Sequence, residues 1–176
     1  LRGDFMIIKT IQEDIFDSKS KHIAFAINTE GYNDSGFAGQ VSHKYWNELA
    51  ICGEHKIGTV LSKTVGEKTF HALVCHSLHD GWGKNQADVI KKCFDKIPAN
   101  GEPIATIAIG TGFIGMISGA NFRQIICGMH DSKQKIMLHA GYTLDAVIDC
   151  YNEEKQKQNL EKEKKLLLEL HKKGLL

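Results

Sequence analysis

Two junctions in this chain combine a buried strand, a glycine-rich loop and a helix. The first runs from Ile23 to Gly39 (IAFAINTEGYNDSGFAG) and the second from Ile107 to Gly115 (IAIGTGFIG). Where a strand ends and a helix begins, backbone N–H groups and the helix N-terminus can hold anionic oxygens. Glycine serves there because a side chain would block close approach of the backbone to a phosphate. Neither loop is a P-loop, since no G-x-x-x-x-G-K-[ST] occurs. Gly110-Thr111-Gly112-Phe113-Ile114-Gly115 follows G-x-G-x-x-G only formally. No acidic residue lies about twenty positions further on to grip a ribose, and Asp131 falls inside or just after a helix.

Other residue types that could do chemistry are weaker candidates. His71 and His76 lie five apart on a strand and point to opposite faces, so they cannot share an ion. His76, His79 and Asp80 could converge at a strand end, but they read as surface groups, and no metal site is expected. Lys63 reads as a solvated loop cation, and Trp46 and Trp82 as packing residues. The five cysteines (52, 75, 93, 127 and 150) are scattered without a C-x-x-C pair. They are read as inert thiols in a reducing compartment.

The elements that must position these groups follow from the apolar pattern. Strands are expected at Phe5 to Ile11, His22 to Ile27, Gly58 to Lys63, Thr69 to Leu78, Ile104 to Ile109 and Lys135 to His139. Val65-Gly66-Glu67-Lys68 reads as a hairpin turn. Phe37, Val41, Tyr45 and Leu49, at fourfold spacing, predict one helical face that stops near Gly53. Val89, Ile90, Cys93, Phe94 and Ile97 predict a second helix, ended by Pro98 and Gly101. Phe122, Ile125, Ile126 and Met129 predict a third. From Leu144 onward the pattern is helical and densely charged, with a thin stripe of Leu160, Leu167 and Leu170. Strands alternating with helices imply an α/β fold: a three-layer α/β/α sandwich around a mixed, mostly parallel sheet. The core is expected over residues 5–142, with 143–176 as a charged helix packing on it or extending from it. Met6 opens a clean strand-like run, and Leu1 to Phe5 are expected to be extraneous to it.

The 176 residues fit one domain with a helical extension, at 42% hydrophobic and 24% charged residues. Twenty-two Lys+Arg against 21 Asp+Glu leave no basic footprint of a dedicated nucleic-acid binder. No signal peptide and no apolar run of membrane-spanning length is read in the sequence, so a cytoplasmic protein with no membrane partner is expected.

The order of these motifs resembles that of the macrodomain family. Glu13-Asp14-Ile15 stands at the family's Gly-Asp-Ile-like step, and Ala26-Ile27-Asn28 at its Asn-Ala-Ala-Asn-like run. Ser35-Gly36-Phe37-Ala38-Gly39 stands at its first glycine loop, and Ile109-Gly110-Thr111-Gly112 at its second. Order and approximate spacing agree from about residue 5 to 140. The resemblance implies a pocket for ADP-ribose as ligand, with no further cofactor. In it Asp14 would accept from the adenine amine and Ile15 donate through its backbone, while Asn28 would face the distal ribose. Gly36, Phe37, Ala38 and Gly39 would wrap the diphosphate and distal ribose from one side, and Gly110, Thr111, Gly112, Phe113 and Ile114 would hold the phosphates from the other.

The departures bear on catalysis. One hydrolytic branch of the family has an aspartate where this chain has Ala38, and an asparagine where it has Phe25. A second uses a lysine near the end of the third strand, close to the place of Lys63, and an aspartate where Ile114 stands. Neither arrangement is complete, so the reading is a module that binds ADP-ribose or an ADP-ribosylated partner. The alternative is an ADP-ribosyl hydrolase with nonstandard groups, Lys63 being its weak catalytic candidate. A structural domain with a blocked pocket is a third reading. Nucleic acid is expected only as an ADP-ribosylated target, and the C-terminal helix offers a surface for an oligomer.

Overall fold

The computed structural model describes residues 5–109 and 119–175, apart from the side chains of 119–121. The expected strands form, in chain order, as β1 (Ile7–Ile11), β2 (His22–Asn28), β3 (Val60–Val65), β4 (Lys68–His76), β5 (Ile104–Ile107) and β6 (Ile136–His139). They make one sheet in the order β1-β6-β5-β2-β4-β3. Every pairing is parallel except that of β3 with β4. That exception is the hairpin closed by Val65-Gly66-Glu67-Lys68, with Val65 opposite Lys68 and Gly66 at φ +61°. The sheet is therefore mixed and mostly parallel, and the C-terminal ends of β1, β6, β5, β2 and β4 all lie along one side.

Alternation along the strands sorts the side chains between two layers. Ile23, Phe25 and Ile27 of β2 join Phe70, Ala72 and Val74 of β4 in one core, closed by Val41 of α1 (Gly36–Lys44) and Leu49. Ala24, Leu73 and Cys75 face the other way. They meet Ile90, Cys93 and Phe94 of α2 (Gln86–Asp95) and Ile125, Ile126 and Met129 of α3 (Gly119–Asp131). Helices thus cover both faces, as expected of a three-layer sandwich. Each fully buried isoleucine, leucine or phenylalanine here contributes roughly 1.5–3 kcal/mol. Gly128 lets α3 approach α2, since a Cβ there would stand 2.5 Å from the Ala87 carbonyl oxygen.

Three expectations need correction. The helix that begins at Gly36 ends at Lys44, and Leu49 sits in a separate 3-10 turn, Asn47–Leu49. The fourfold spacing is real, because Val41, Tyr45 and Leu49 all pack on the same core. The backbone carbonyls past Lys44, however, have better partners elsewhere. Asn33 donates its side-chain amide to Leu49 O (3.2 Å) and its backbone N–H to Ala50 O (2.9 Å), so tertiary bonds end the helix. Phe5, expected both to open the first strand and to close an extraneous leading segment, lies just before β1 and belongs to the core. It is 8% exposed and stacks on His130 with ring centroids 4.8 Å apart, with Tyr151 edge-on at 5.4 Å. Lys63, expected in a loop, is the fourth residue of β3.

The last helix, α4 (Leu144–Lys172), starts at Thr143, whose hydroxyl accepts from the Ala146 N–H at 3.2 Å. Its first turns dock through buried Val147 and through ion pairs Arg123–Glu153 (2.8 Å) and Lys155–Asp131 (2.6 Å). Beyond Lys155 almost every side chain is exposed, including Leu160, Leu166, Leu167 and Leu168. No helix among the described residues is long and apolar enough to cross a membrane.

Candidate functional site

A cleft of about 580 Å3 opens at the C-terminal ends of β1, β6 and β5, beside the start of α1. Its walls are the segment Gln12–Phe16 that leaves β1, Phe37 and Gln40 of α1, Ile107 of β5, and His139–Gly141 leaving β6.

The Gln12–Phe16 wall is held rigidly for a loop. Asp14 caps the 3-10 turn Ile15–Asp17, its Oδ1 accepting from the Phe16 N–H at 3.0 Å. The Ile15 N–H stands at the first position of that turn and so has no intrahelical partner. Lys68 of β4 clamps the turn from outside, donating to Phe16 O (3.2 Å) and to Ser18 O. From the cleft side His139 Nδ1 donates to Glu13 O at 2.9 Å. Asp14 is exposed while Ile15 is buried, so the turn anchors one side chain in the core and offers the other to the cleft.

Phe37 closes the floor. It stacks on Phe16 with centroids 5.1 Å apart and 12° between planes, and meets Phe25 edge-on at 5.5 Å. Phe25 is fully buried and occupies the core, which accounts for an aromatic at that place in β2. The Lys44 ammonium lies 5.0 Å above the outer face of Phe16.

Of the residues singled out in the sequence, Asp14, Ile15 and Phe37 come together around the cleft. Gly36 stands at the start of α1 with φ +60°, and nothing lies within 4 Å of where its Cβ would be. Gly39 has a different reason to be glycine: a Cβ would meet Asp34 C at 2.6 Å, so it packs the loop onto the helix. Ala38 is packed against the core beneath α1. Asn28, at the end of β2, does not line the cleft. Its side chain donates to Tyr32 O (2.6 Å) and accepts from Tyr32 N (3.1 Å), closing its own turn. Gly110, Thr111, Gly112, Phe113 and Ile114 lie outside the described residues. The chain enters that segment past Ile109, on the side to which β5 and β2 both point.

Lys63 lies elsewhere. It pairs in register with Phe70, which pairs with Ile23, five residues before Asn28. That row continues to Ala105, two residues before Ile107 of the cleft, but β3 is three strands from β5, which at about 4.8 Å per strand puts Lys63 roughly 14 Å to the side. Its ammonium is bound to Glu48 at 2.8 Å, and that contact pulls the Glu48 carboxyl below its usual range.

His76, His71 and His139 occupy three separate sites. His76 stacks on Trp82 with centroids 4.9 Å apart, and burial lowers its pKa against the pull of the nearby Glu30 charge. Glu30 accepts from Ser77 Oγ (2.6 Å) and Leu78 N (3.0 Å), which bring its carboxyl down to about 2. His71 is fully buried between Ser62 and His22. His139, in the cleft wall, was read from the sequence only as a strand residue. The available signal was a polar side chain ending a buried strand on the ligand side of the sheet. Among the described residues, no three His, Cys, Asp or Glu side chains gather closely enough to hold a metal ion.

This architecture is that of macrodomains. The macrodomain of Mycobacterium tuberculosis DarG superposes with a TM-score of 0.60 at 13% identity, over 74% of this chain and 95% of that one. A mutant Oceanobacillus iheyensis macrodomain with ADPR gives 0.57 at 15% identity, over 86% and 92%. The alphavirus P23pro-zbd gives 0.57 at 13%, over 88% of this chain and 24% of that one, so the chain spans about a quarter of that protein. No protein-family model and no curated protein matches the sequence.

Proposed function

We propose that this protein binds ADP-ribose, free or attached to a macromolecule, in the cleft between the Gln12–Phe16 turn, α1 and the end of β6. The observation that carries the reading is the Asp14–Ile15 turn, which places a carboxylate and a backbone N–H side by side at the cleft edge. A carboxylate accepts and a backbone amide donates, so together they match the amino group and ring nitrogen of adenine. The cleft lies at the end of the sheet where α1 begins, and a helix N-terminus there favours the diphosphate. Its volume falls in the ordinary range of ligand sites, about 300–1,000 Å3. The solved structure with ADPR noted above, which shares this fold, supports the choice of ligand.

Binding, rather than hydrolysis, is the activity we infer. Cleaving an ADP-ribosyl bond needs a group that activates water or forms a covalent adduct. Ala38 is apolar and packed, and Lys63 is paired with Glu48 in the opposite half of the sheet. The test is a calorimetric titration with ADP-ribose, with AMP and ATP as controls. Saturable binding that is tightest for ADP-ribose is expected, and no heat with ADP-ribose would overturn the reading.

A further inference from the structure

The wall that carries Asp14 and Ile15 is too short to hold itself. Its 3-10 turn spans three residues and is closed by the backbone bonds Asp17 N–H to Asp14 O (3.0 Å) and Ser18 N–H to Ile15 O (3.1 Å). So short a turn is marginal on its own, and the carbonyls at its C-terminal end find no partner inside it. Phe16 O and Ser18 O accept instead from the Lys68 ammonium, which lies 52 and 50 positions away in the chain. Lys68 is itself fixed. It opens β4 and pairs with Val65 across the hairpin, and its neighbour Thr69 donates to Lys21 O at 2.7 Å, just before β2 begins. The contact ties the cleft wall to the hairpin at the sheet edge, although Lys68 is not among the residues that line the cleft.

We propose that Lys68 is a positioning residue for ligand binding: its ammonium keeps the Asp14–Ile15 turn closed, and the affinity of the cleft depends on that closure. The inference rests on the ADP-ribose reading of the cleft. A site that is competent for only a fraction of the time binds more weakly by that fraction. Phe16 carries the effect into the cleft. Lys68 holds its carbonyl, Asp14 holds its N–H, and its ring stacks on Phe37 in the cleft floor. Releasing the carbonyl therefore loosens the Asp14 cap and the stacked ring together. Lys68 sets affinity without touching the ligand.

The experiment pairs calorimetry with ADP-ribose on the full chain with amide hydrogen exchange in the absence of ligand. Lys68→Met keeps the aliphatic stem and removes the donors, whereas Lys68→Arg keeps both donors and charge. Lys68→Met is expected to weaken ADP-ribose binding about tenfold and to speed exchange at Phe16, Asp17 and Ser18 by a similar factor. Amides in the middle of β2, which report on the fold as a whole, are expected to change clearly less. Lys68→Arg is expected to recover most of the loss on both measures. A mere charge effect on the diphosphate would vanish with screening, so the difference in affinity is expected to persist at about 1 M salt, where the screening length is about 3 Å. A difference that salt removes would overturn the positioning role. So would unchanged affinity in a folded Lys68→Met protein, or turn amides that exchange as in the wild type, and either result would leave ADP-ribose binding standing. A wild type that binds no ADP-ribose would overturn the functional reading and this inference with it. A measurement without mutation covers misfolding of the variant. A ligand that needs the closed turn must in return tighten the contact that closes it. Acetylation of the wild-type Lys68 amine is therefore expected to slow on saturation with ADP-ribose, while that of exposed Lys162 stays unchanged. An unchanged rate at Lys68 would overturn the proposal.

Discussion

The rings of His22 and His71 meet with His22 Nδ1 3.0 Å from His71 Nε2, between neighbouring strands and out of reach of the cleft. Ser62 Oγ stands 2.7 Å from His71 Nδ1, and His22 Nε2 lies 3.6 Å from Glu102. One set of tautomers satisfies the whole row. Ser62 donates to His71 Nδ1, His71 Nε2–H donates to His22 Nδ1, and His22 Nε2–H points to the carboxylate. This arrangement requires His71 to be neutral. Burial first, and the neighbouring His22 second, push its pKa from 6.5 down to about 4.

That depression makes the fold acid-sensitive in a defined window. Below about pH 6.5 the unfolded chain takes up a proton that folded His71 refuses, so stability falls as pH falls. The loss continues until the folded-state value near 4 is reached. His71 alone accounts for about 3 kcal/mol over this range. His76 and His130, also lowered chiefly by burial, act in the same direction. Urea unfolding at pH 7.5 and pH 4.5 is the check, and equal stabilities at the two values would contradict it.

Asp14→Ala separates binding from folding. Losing a hydrogen bond to a charged group is expected to weaken ADP-ribose binding by about 1–3 kcal/mol. The same substitution removes the cap on Phe16 N, at a cost of about 1 kcal/mol in stability. Calorimetry paired with thermal melting reads both, and unchanged affinity in a folded variant would remove Asp14 from the site.

Two glycines with positive φ should respond differently to alanine. Gly31, at φ +75°, would set a Cβ 2.0 Å from the backbone oxygen of Gly53, a clash that no rotamer relieves. Gly36, at φ +60°, meets nothing within 4 Å. Gly36→Ala is expected to cost about 1–2 kcal/mol, the ordinary penalty for that backbone region. Gly31→Ala should cost clearly more, because backbone atoms must move to admit the Cβ. Denaturant midpoints of the two variants test the ranking.

Lys63→Ala should leave ADP-ribose affinity within about twofold, since the residue lies three strands across the sheet from Ile107 of the cleft, about 14 Å at roughly 4.8 Å per strand. Release of ADP-ribose from modified protein and from modified DNA is expected to stay near background in both wild type and variant. Robust turnover that Lys63→Ala abolishes would revive the lysine as a catalyst.

Much of this architecture was legible in the apolar pattern, because buried parallel strands such as His22 to Ile27 are short, continuous and set off by loop residues. The Val65–Lys68 turn was equally plain. What misled was spacing that two structures share. Phe37, Val41, Tyr45 and Leu49 line one face whether or not the helix continues, and only Asn33, sixteen residues before Leu49, decides that it stops. At the cleft, Asp14 and Phe37 could be read from motif order, whereas Asn28 turned out to bond its own loop. His139 could not be read at all. Its significance depends on the carbonyl of Glu13, 126 positions away, and no local pattern encodes that contact.

The antiparallel strand β3 has a consequence of its own. It is one of the two edge strands of the sheet, and an edge strand offers a row of unpaired backbone groups to any other chain in extended form. Along it Ser62 and Thr64 are exposed, and Lys63 between them carries a charge held by Glu48 from outside the sheet. A second molecule trying to add its own strand here would have to strip water from that ammonium and break its ion pair. An added strand would thus meet a paired charge here rather than a bare, apolar edge.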